Sequence, residues 1–306
     1  MRQLDNLIKN FIKPRHQILF MKKGINLWSV EWPSILRELD NKKLARKLRE
    51  VGYDGVELVF DDSSFDPIRK TGEEIRRTAE DFKSEGLEIP SVATGVFWKY
   101  NLGSNDEKTR SKGVEYGKAG VKMASIVGAS SILVVPGVAS SEMPYEELYA
   151  NSLKSVKELA EFAETRNVTI AVENVWNKFL YSPMEFKKFI IDVGMKNVKV
   201  YLDVANLLAI SHPENWIHSL GSMVSNVHAK DFDTSIGNIN GFRNVLKGSV
   251  DWRKIIKLLK AAGYDGYLTV ECPPSFNPLL KTPTVKDILG NAEENCRALE
   301  KVMKGL

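Results

Sequence analysis

The sequence predicts an α/β fold, a closed (β/α)₈ barrel, on three observations. A strand-and-helix unit recurs along the chain, the strands have one apolar and one polar face, and the 306 residues suit a single ring of eight such units. In each unit an amphipathic helix ends near a glycine or asparagine and a short apolar strand follows. The clearest pair is Glu50-Val-Gly-Tyr-Asp-Gly-Val-Glu-Leu-Val-Phe60 and Lys260-Ala-Ala-Gly-Tyr-Asp-Gly-Tyr-Leu-Thr-Val-Glu271. Both have a glycine where a helix can close in the left-handed conformation. The pattern returns with Gly86 before strand 89–93, Gly128 before 132–135, Asn167 before 168–173, Gly194 before Val198–Asp203 and Gly221 before 226–230. With 24–28 first and 267–271 last, strands and helices alternate throughout, which calls for a parallel sheet with helical crossovers.

Strand parity favours a closed ring over an open sheet. Val168, Ile170 and Val172 share one face, Thr169, Ala171 and Glu173 the other. Val198, Val200 and Leu202 oppose Lys199, Tyr201 and Asp203; Val227 and Ala229 oppose Asn226, His228 and Lys230; Leu268 and Val270 oppose Tyr267, Thr269 and Glu271. Strands covered by helices on both faces read as continuous apolar runs, whereas a barrel packs one face on helices and turns the other into its lumen. No Gly-x-Gly-x-x-Gly follows the first strand, so a dinucleotide-binding sheet is not indicated.

No linker rich in Pro, Gly or Ser divides residues 21–306, which are read as one barrel domain. Residues 1–20 form an N-terminal extension. Leu4, Leu7, Ile8, Phe11 and Ile12 fall on one helical face among Lys9, Lys13 and Arg15, and Pro14 ends it. A loose extension is the plainer reading and a helix at a subunit contact the sharper one. The segment lacks the apolar core and cleavage site of a signal peptide. A net charge of +4 comes from interspersed signs, which argues against a nucleic-acid tail or a polybasic membrane patch. Cys272 and Cys296 are too few for a disulfide framework or a cysteine zinc site, and no apolar stretch reaches membrane-spanning length. A reduced, cytoplasmic setting is expected.

In such barrels chemistry sits at the carboxyl ends of the strands. The last inward positions of the final four strands are Glu173 in Ala-Val-Glu-Asn, Asp203 in Tyr-Leu-Asp-Val, His228 in Asn-Val-His-Ala-Lys-Asp and Glu271 in Thr-Val-Glu-Cys. A lone strand-end glutamate is more often solvated or salt-bridged than a ligand. Together, three carboxylates at one mouth repel unless a cation compensates them, and the donor set suits one divalent ion: Mn²⁺ first, with Mg²⁺, Co²⁺ or Zn²⁺ also compatible.

These residues, in this order, resemble the sugar phosphate isomerase/epimerase superfamily of xylose-isomerase-like TIM barrels, and within it the ketose 3-epimerases acting on tagatose, psicose or L-ribulose 5-phosphate. The likeness runs over nearly the whole chain after Met21. Its most specific segments are Ala171-Val-Glu-Asn-Val-Trp-Asn-Lys-Phe179, Tyr201-Leu-Asp-Val-Ala-Asn206, Asn226-Val-His-Ala-Lys-Asp231, Lys247-Gly-Ser-Val-Asp-Trp252 and Gly263-Tyr-Asp-Gly-Tyr-Leu-Thr-Val-Glu271. The resemblance implies that Glu173, Asp203, His228 and Glu271 are metal ligands and that Glu173 and Glu271 are also the acid/base pair. The implied reaction is 3-epimerisation of a ketose, ketose phosphate or keto-sugar acid through a metal-stabilised cis-enediolate. The implied partners are a small sugar and further copies of the chain, in a dimer or tetramer, with no nucleic acid and no membrane.

The chain departs from the free-ketose epimerases at three positions. Phe179 stands where they carry Glu, Asn206 where they carry His, and Thr234 where they carry Arg. Those residues normally grip substrate hydroxyls, so a phosphorylated or acidic sugar is expected, with Lys230 and Arg243 as cationic contacts and Lys178 more simply a surface lysine. Trp28, Trp32, Trp98 and Trp176 fall at the catalytic end, and Trp28 and Trp176, with Asn206, complete the expected substrate contacts. Glu57 is read as a lumen group without a catalytic part. Dehydratases of the inosose or dehydroshikimate type, or an aldose–ketose isomerase, would use the same four residues. An endonuclease IV-like nuclease needs a histidine-rich zinc cluster, and among the chain's four histidines only His228 is suitably placed.

Overall fold

The computed structural model describes residues 21–274 and 283–304; the amphipathic segment expected at 1–20 lies outside them. Ten strands follow in chain order among the described residues: β1 (Lys22–Asn26), β2 (Gly55–Phe60), β3 (Ser91–Thr94), β4 (Ser131–Val134), β5 (Thr169–Glu173), β6 (Val198–Asp203), β7 (Val224–Ala229), β8 (Asp231–Phe232), β9 (Phe242–Arg243) and β10 (Tyr267–Val270). Eight of them close a barrel in the order β1-β10-β7-β6-β5-β4-β3-β2, every pairing parallel. β8 and β9 form a small antiparallel ribbon beyond β7.

Helices α1 (Asn41–Val51), α2 (Gly72–Lys83), α3 (Glu107–Val127), α4 (Tyr145–Glu164), α5 (Pro183–Val193), α6 (Val204–Leu208), α7 (Pro213–Leu220), α8 (Trp252–Ala261) and α9 (Val285–Met303) lie among the strands in sequence. Each starts and stops for local reasons. Thr71 and Glu74 close a reciprocal capping box on α2, and Thr284 and Asp287 do the same for α9. Gly52 ends α1 at φ 111°, a backbone conformation that a side chain would strain. In α8 the residues Trp252, Ile255, Ile256 and Leu259 are the buried stripe. No helix among the described residues is long and apolar enough to cross a membrane.

The element order is as predicted, and the strand edges move for physical reasons. Gly221 does not take the left-handed conformation; its φ is −38°, it opens a short 3₁₀ turn to Met223, and β7 begins at Val224 rather than 226. β1 stops at Asn26 because the Asn26 side chain accepts the backbone N–H of Trp28 and caps a 3₁₀ turn, Leu27–Val30. β10 ends at Val270, leaving Glu271 one residue past the strand.

Close packing at the barrel's amino end leaves no room for a methyl group at Gly55. A Cβ there would lie 2.9 Å from the carbonyl oxygen of Glu88 and 2.8 Å from the Tyr267 ring. Gly55→Ala should therefore cost about 1–3 kcal/mol of stability, read as a lower urea midpoint with an unchanged slope.

Candidate metal centre and active site

The four residues predicted from strand ends meet at the carboxyl mouth of the barrel. One donor atom from each of Glu173, Asp203, His228 and Glu271 can be chosen so that all lie within 4.8 Å of one another. Register accounts for part of this: Asp203 pairs with His228 across β6 and β7, and Thr269 of β10 pairs with His228 on its other side. His228 Nδ1 lies 3.0 Å from Glu173 Oε1, 3.7 Å from Asp203 Oδ2 and 3.5 Å from Glu271 Oε2. Glu173, Asp203 and His228 are buried, while the Glu271 side chain keeps 15% of its surface exposed.

The loops that follow the strands hold these groups still. Asn174 clamps the Asp203 backbone, donating Nδ2–H to its carbonyl at 2.8 Å and accepting its N–H at 2.9 Å. Asp203 Oδ1 accepts the Asn206 N–H and so caps α6, which leaves Oδ2 facing the site. The segment after Glu271 is tied at Cys272: its N–H donates to Ser29 Oγ, its carbonyl accepts from Asn291 of α9, and its thiol donates to Asn244. Burial pushes the Cys272 thiol up to about 12, so it is an inert packing group.

The imidazole is fixed by a residue assigned no role from sequence. Glu57, on β2, accepts from His228 Nε2 at 2.8 Å and from Asn26 Nδ2, Ser91 Oγ and Tyr201 Oη at 2.6 Å each. Burial opposes ionisation of Glu57, but His228 and these donors hold its carboxyl below the usual range. An anionic Glu57 keeps a proton on Nε2 and presents Nδ1 to the three other carboxylates, the arrangement that orients metal-binding histidines generally. Asp231, three residues after His228, accepts from the backbone of Phe232, Leu246 and Val250 and from Trp252 Nε1. The signal for Glu57 was its inward parity in Gly-Val-Glu-Leu; which side chain it meets across the lumen was not encoded there.

Charge is unevenly shared. Burial, with Glu271 and Asp203 adding to it, pushes Glu173 up to about 7 against the pull of His228. Burial also raises Asp203, with Lys230 opposing. Glu271 is held below the usual carboxylate range, because Lys230 and His228 outweigh its burial. Burial disfavours the charged imidazole, but Glu271 and Glu57 raise His228 well above its ordinary value. Three carboxylates and one oriented nitrogen fit a divalent cation by the chemistry of the donors, since an ion would replace the protons that Glu173 and His228 otherwise retain.

The expected substrate contacts divide. Trp176 lies beside the site, with Nε1 donating to the Asn206 carbonyl and its ring stacked on Phe242 at 5.0 Å. Trp28 is half-buried near the end of β1. Asn206 is committed to the scaffold, its amide donating to the Asn174 carbonyl at 3.0 Å. Arg243 donates to the carbonyls of Asn240 and Phe242 and to Asp233, so it braces the β8–β9 ribbon. Lys230 has partners that its own strand does not reveal. Expected to meet an anionic substrate, its buried ammonium donates instead to Asp203 Oδ2 and Glu271 Oε2. Phe179 packs against Tyr145, Tyr149 and Phe189, and Thr234 contacts Ser249. Trp32 is buried under its loop with Nε1 bound to Asn41, whereas Trp98 is half-exposed.

The profile of the xylose isomerase-like TIM barrels matches residues 45–301. The chain belongs to that family. A relative from Haemophilus influenzae named putative L-ribulose-5-phosphate 3-epimerase SgbU is 28% identical over 233 residues, 72% of this chain and 79% of its own. Among solved structures, D-psicose 3-epimerase from Clostridium cellulolyticum H10, determined with D-tagatose, superposes with a TM-score of 0.74 at 22% identity, covering 94% of this chain and 99% of its own. The IOLI protein with a bound zinc atom gives 0.73 at 20% identity, covering 93% and 98%. At those identities the two structures attest the shared barrel.

Two measurements test the centre in this xylose isomerase-like barrel. Glu57→Gln should weaken Mn²⁺ binding roughly ten- to a hundredfold by calorimetry, with circular dichroism unchanged. Because Glu173 and His228 both have raised pKa values, ion uptake must displace protons. Mn²⁺ affinity should accordingly increase as pH rises through 7, with proton release visible in buffers of different ionisation enthalpy.

Proposed function

We propose that the protein is a divalent-metal-dependent sugar epimerase that inverts the carbon beside the carbonyl of a ketose or ketose phosphate, held by Glu173, Asp203, His228 and Glu271 around one ion. The observation that carries this reading is the placement of Glu173 and Glu271. They arise three places apart in the eight-strand ring, at β5 and after β10, and still reach the same imidazole nitrogen. Two carboxyl groups that approach one small space from different sides can serve opposite faces of a flat intermediate.

The bound ion would supply Lewis acidity toward the substrate's carbonyl and neighbouring hydroxyl, lowering the cost of breaking the adjacent C–H bond. Glu271, ionised, takes the proton from one face of the carbon and leaves a cis-enediolate. Glu173, protonated, delivers a proton to the other face, and in the reverse direction Glu173 is the base and Glu271 the acid. The net transfer is one proton onto Glu271 and one off Glu173; Glu271, the more exposed of the pair, then releases its proton to solvent and Glu173 regains one. Glu57 acts throughout by holding the ring of His228.

The phosphorylated substrate is supported by the relative named for L-ribulose 5-phosphate and by the loss, at Phe179, Asn206 and Thr234, of side chains that grip free-ketose hydroxyls. Lys230 and Arg243 lend no support to it, since both cations are engaged within the protein. Trp176, beside the site and partly exposed, offers a ring for the C–H face of the sugar.

Incubation with Mn²⁺ in D₂O against ketoses and ketose 5-phosphates should place one deuterium at C3 of the epimerised product, with no loss of water by mass. Glu173→Gln and Glu271→Gln should each lower turnover about 10²–10⁴-fold, and a chelator should remove activity that Mn²⁺ restores. A product lighter by one water would show elimination and refute epimerisation.

A further inference from the structure

A divalent ion and Lys230 need the same atoms. The ammonium of Lys230 donates to Asp203 Oδ2 and Glu271 Oε2. Those two oxygens are the ones that lie 3.7 and 3.5 Å from His228 Nδ1, inside the ring of candidate ligands. The Lys230 side chain is 4% exposed, so water offers its charge little compensation. Its Nζ lies 5.1 Å from the centre of the Phe242 ring, with Phe242 itself buried. The two carboxylates are therefore its direct charge partners, and it is one of theirs.

We propose that Lys230 is the resident counter-ion of the metal centre. With no ion bound it neutralises Asp203 and Glu271 and keeps the carboxylates from driving the barrel mouth apart. When a divalent ion enters, the ammonium yields those two oxygens and swings away on its flexible stem. Lys230 then sets the affinity of the site, because the ion has to displace one cation and tolerate it nearby. The proposal rests on the metal reading above, but its readouts do not involve turnover.

The test is Mn²⁺ titration of the purified full chain by calorimetry, for the parent, Lys230→Met and Lys230→Arg. Lys230→Met should bind Mn²⁺ roughly ten- to a hundredfold more tightly, the consequence of removing a like charge from a poorly screened site. Its ion-free melting temperature should fall and its gain in Tm on adding Mn²⁺ should exceed that of the parent. Lys230→Arg, which keeps the charge, should show neither change. Mn²⁺ binding by Lys230→Met no tighter than the parent's overturns this proposal alone, whereas a parent that takes up no Mn²⁺ overturns it together with the metal reading. If Lys230→Met does not fold, a parent structure determined with Zn²⁺ decides: Nζ away from Asp203 Oδ2 and Glu271 Oε2 supports the exchange, and Nζ still bonded to both refutes it.

Discussion

Four carboxylates, those of Glu57, Glu173, Asp203 and Glu271, gather about one imidazole where water has little access, and the rest of the mouth is arranged around that concentration of negative charge. In a poorly screened interior such a cluster is tolerated only if each charge is neutralised, shared or held by donors. The chain uses all three means. Glu57 is saturated by four donors, Glu173 tends to keep its proton, and Asp203 and Glu271 share an ammonium. An environment that pushes two facing carboxyl groups toward opposite protonation states is also one that can run a proton off one face of a carbon and onto the other.

Much of this was legible in the sequence, for reasons tied to particular residues. Parity along β5, β6 and β7 fixed which side chains turn inward, and the strand-end rule then singled out Glu173, Asp203 and His228 without any knowledge of the fold's dimensions. Glu271 followed by the same logic although it sits one residue beyond β10. What stayed illegible was who meets whom across the ring. Glu57 and His228 are 171 positions apart and belong to strands that are not neighbours, so no local pattern joins them. Lys230 had legible parity but illegible partners: inward direction is a property of one strand, whereas its ion pairs with Asp203 and Glu271 depend on the depth at which two others end.

The departures from the free-ketose epimerases acquire a physical reading in the fold. Phe179 packs into an aromatic cluster with Tyr145, Tyr149 and Phe189. Asn206 likewise spends its amide on the Asn174 carbonyl. Phe179 and Asn206 thus serve the scaffold, apart from the cluster of Glu173, Asp203, His228 and Glu271.

The three ties at Cys272 carry a consequence for how this mouth can change. Ser29 from the first loop, Asn244 from the ribbon and Asn291 from the last helix converge on the residue beside Glu271. The beginning and the end of the barrel are stitched together at that point, so the seam of the ring is closed by the same contacts that locate its outermost carboxyl. A change at any one of these ties would therefore disturb the closure of the ring and the position of Glu271 together.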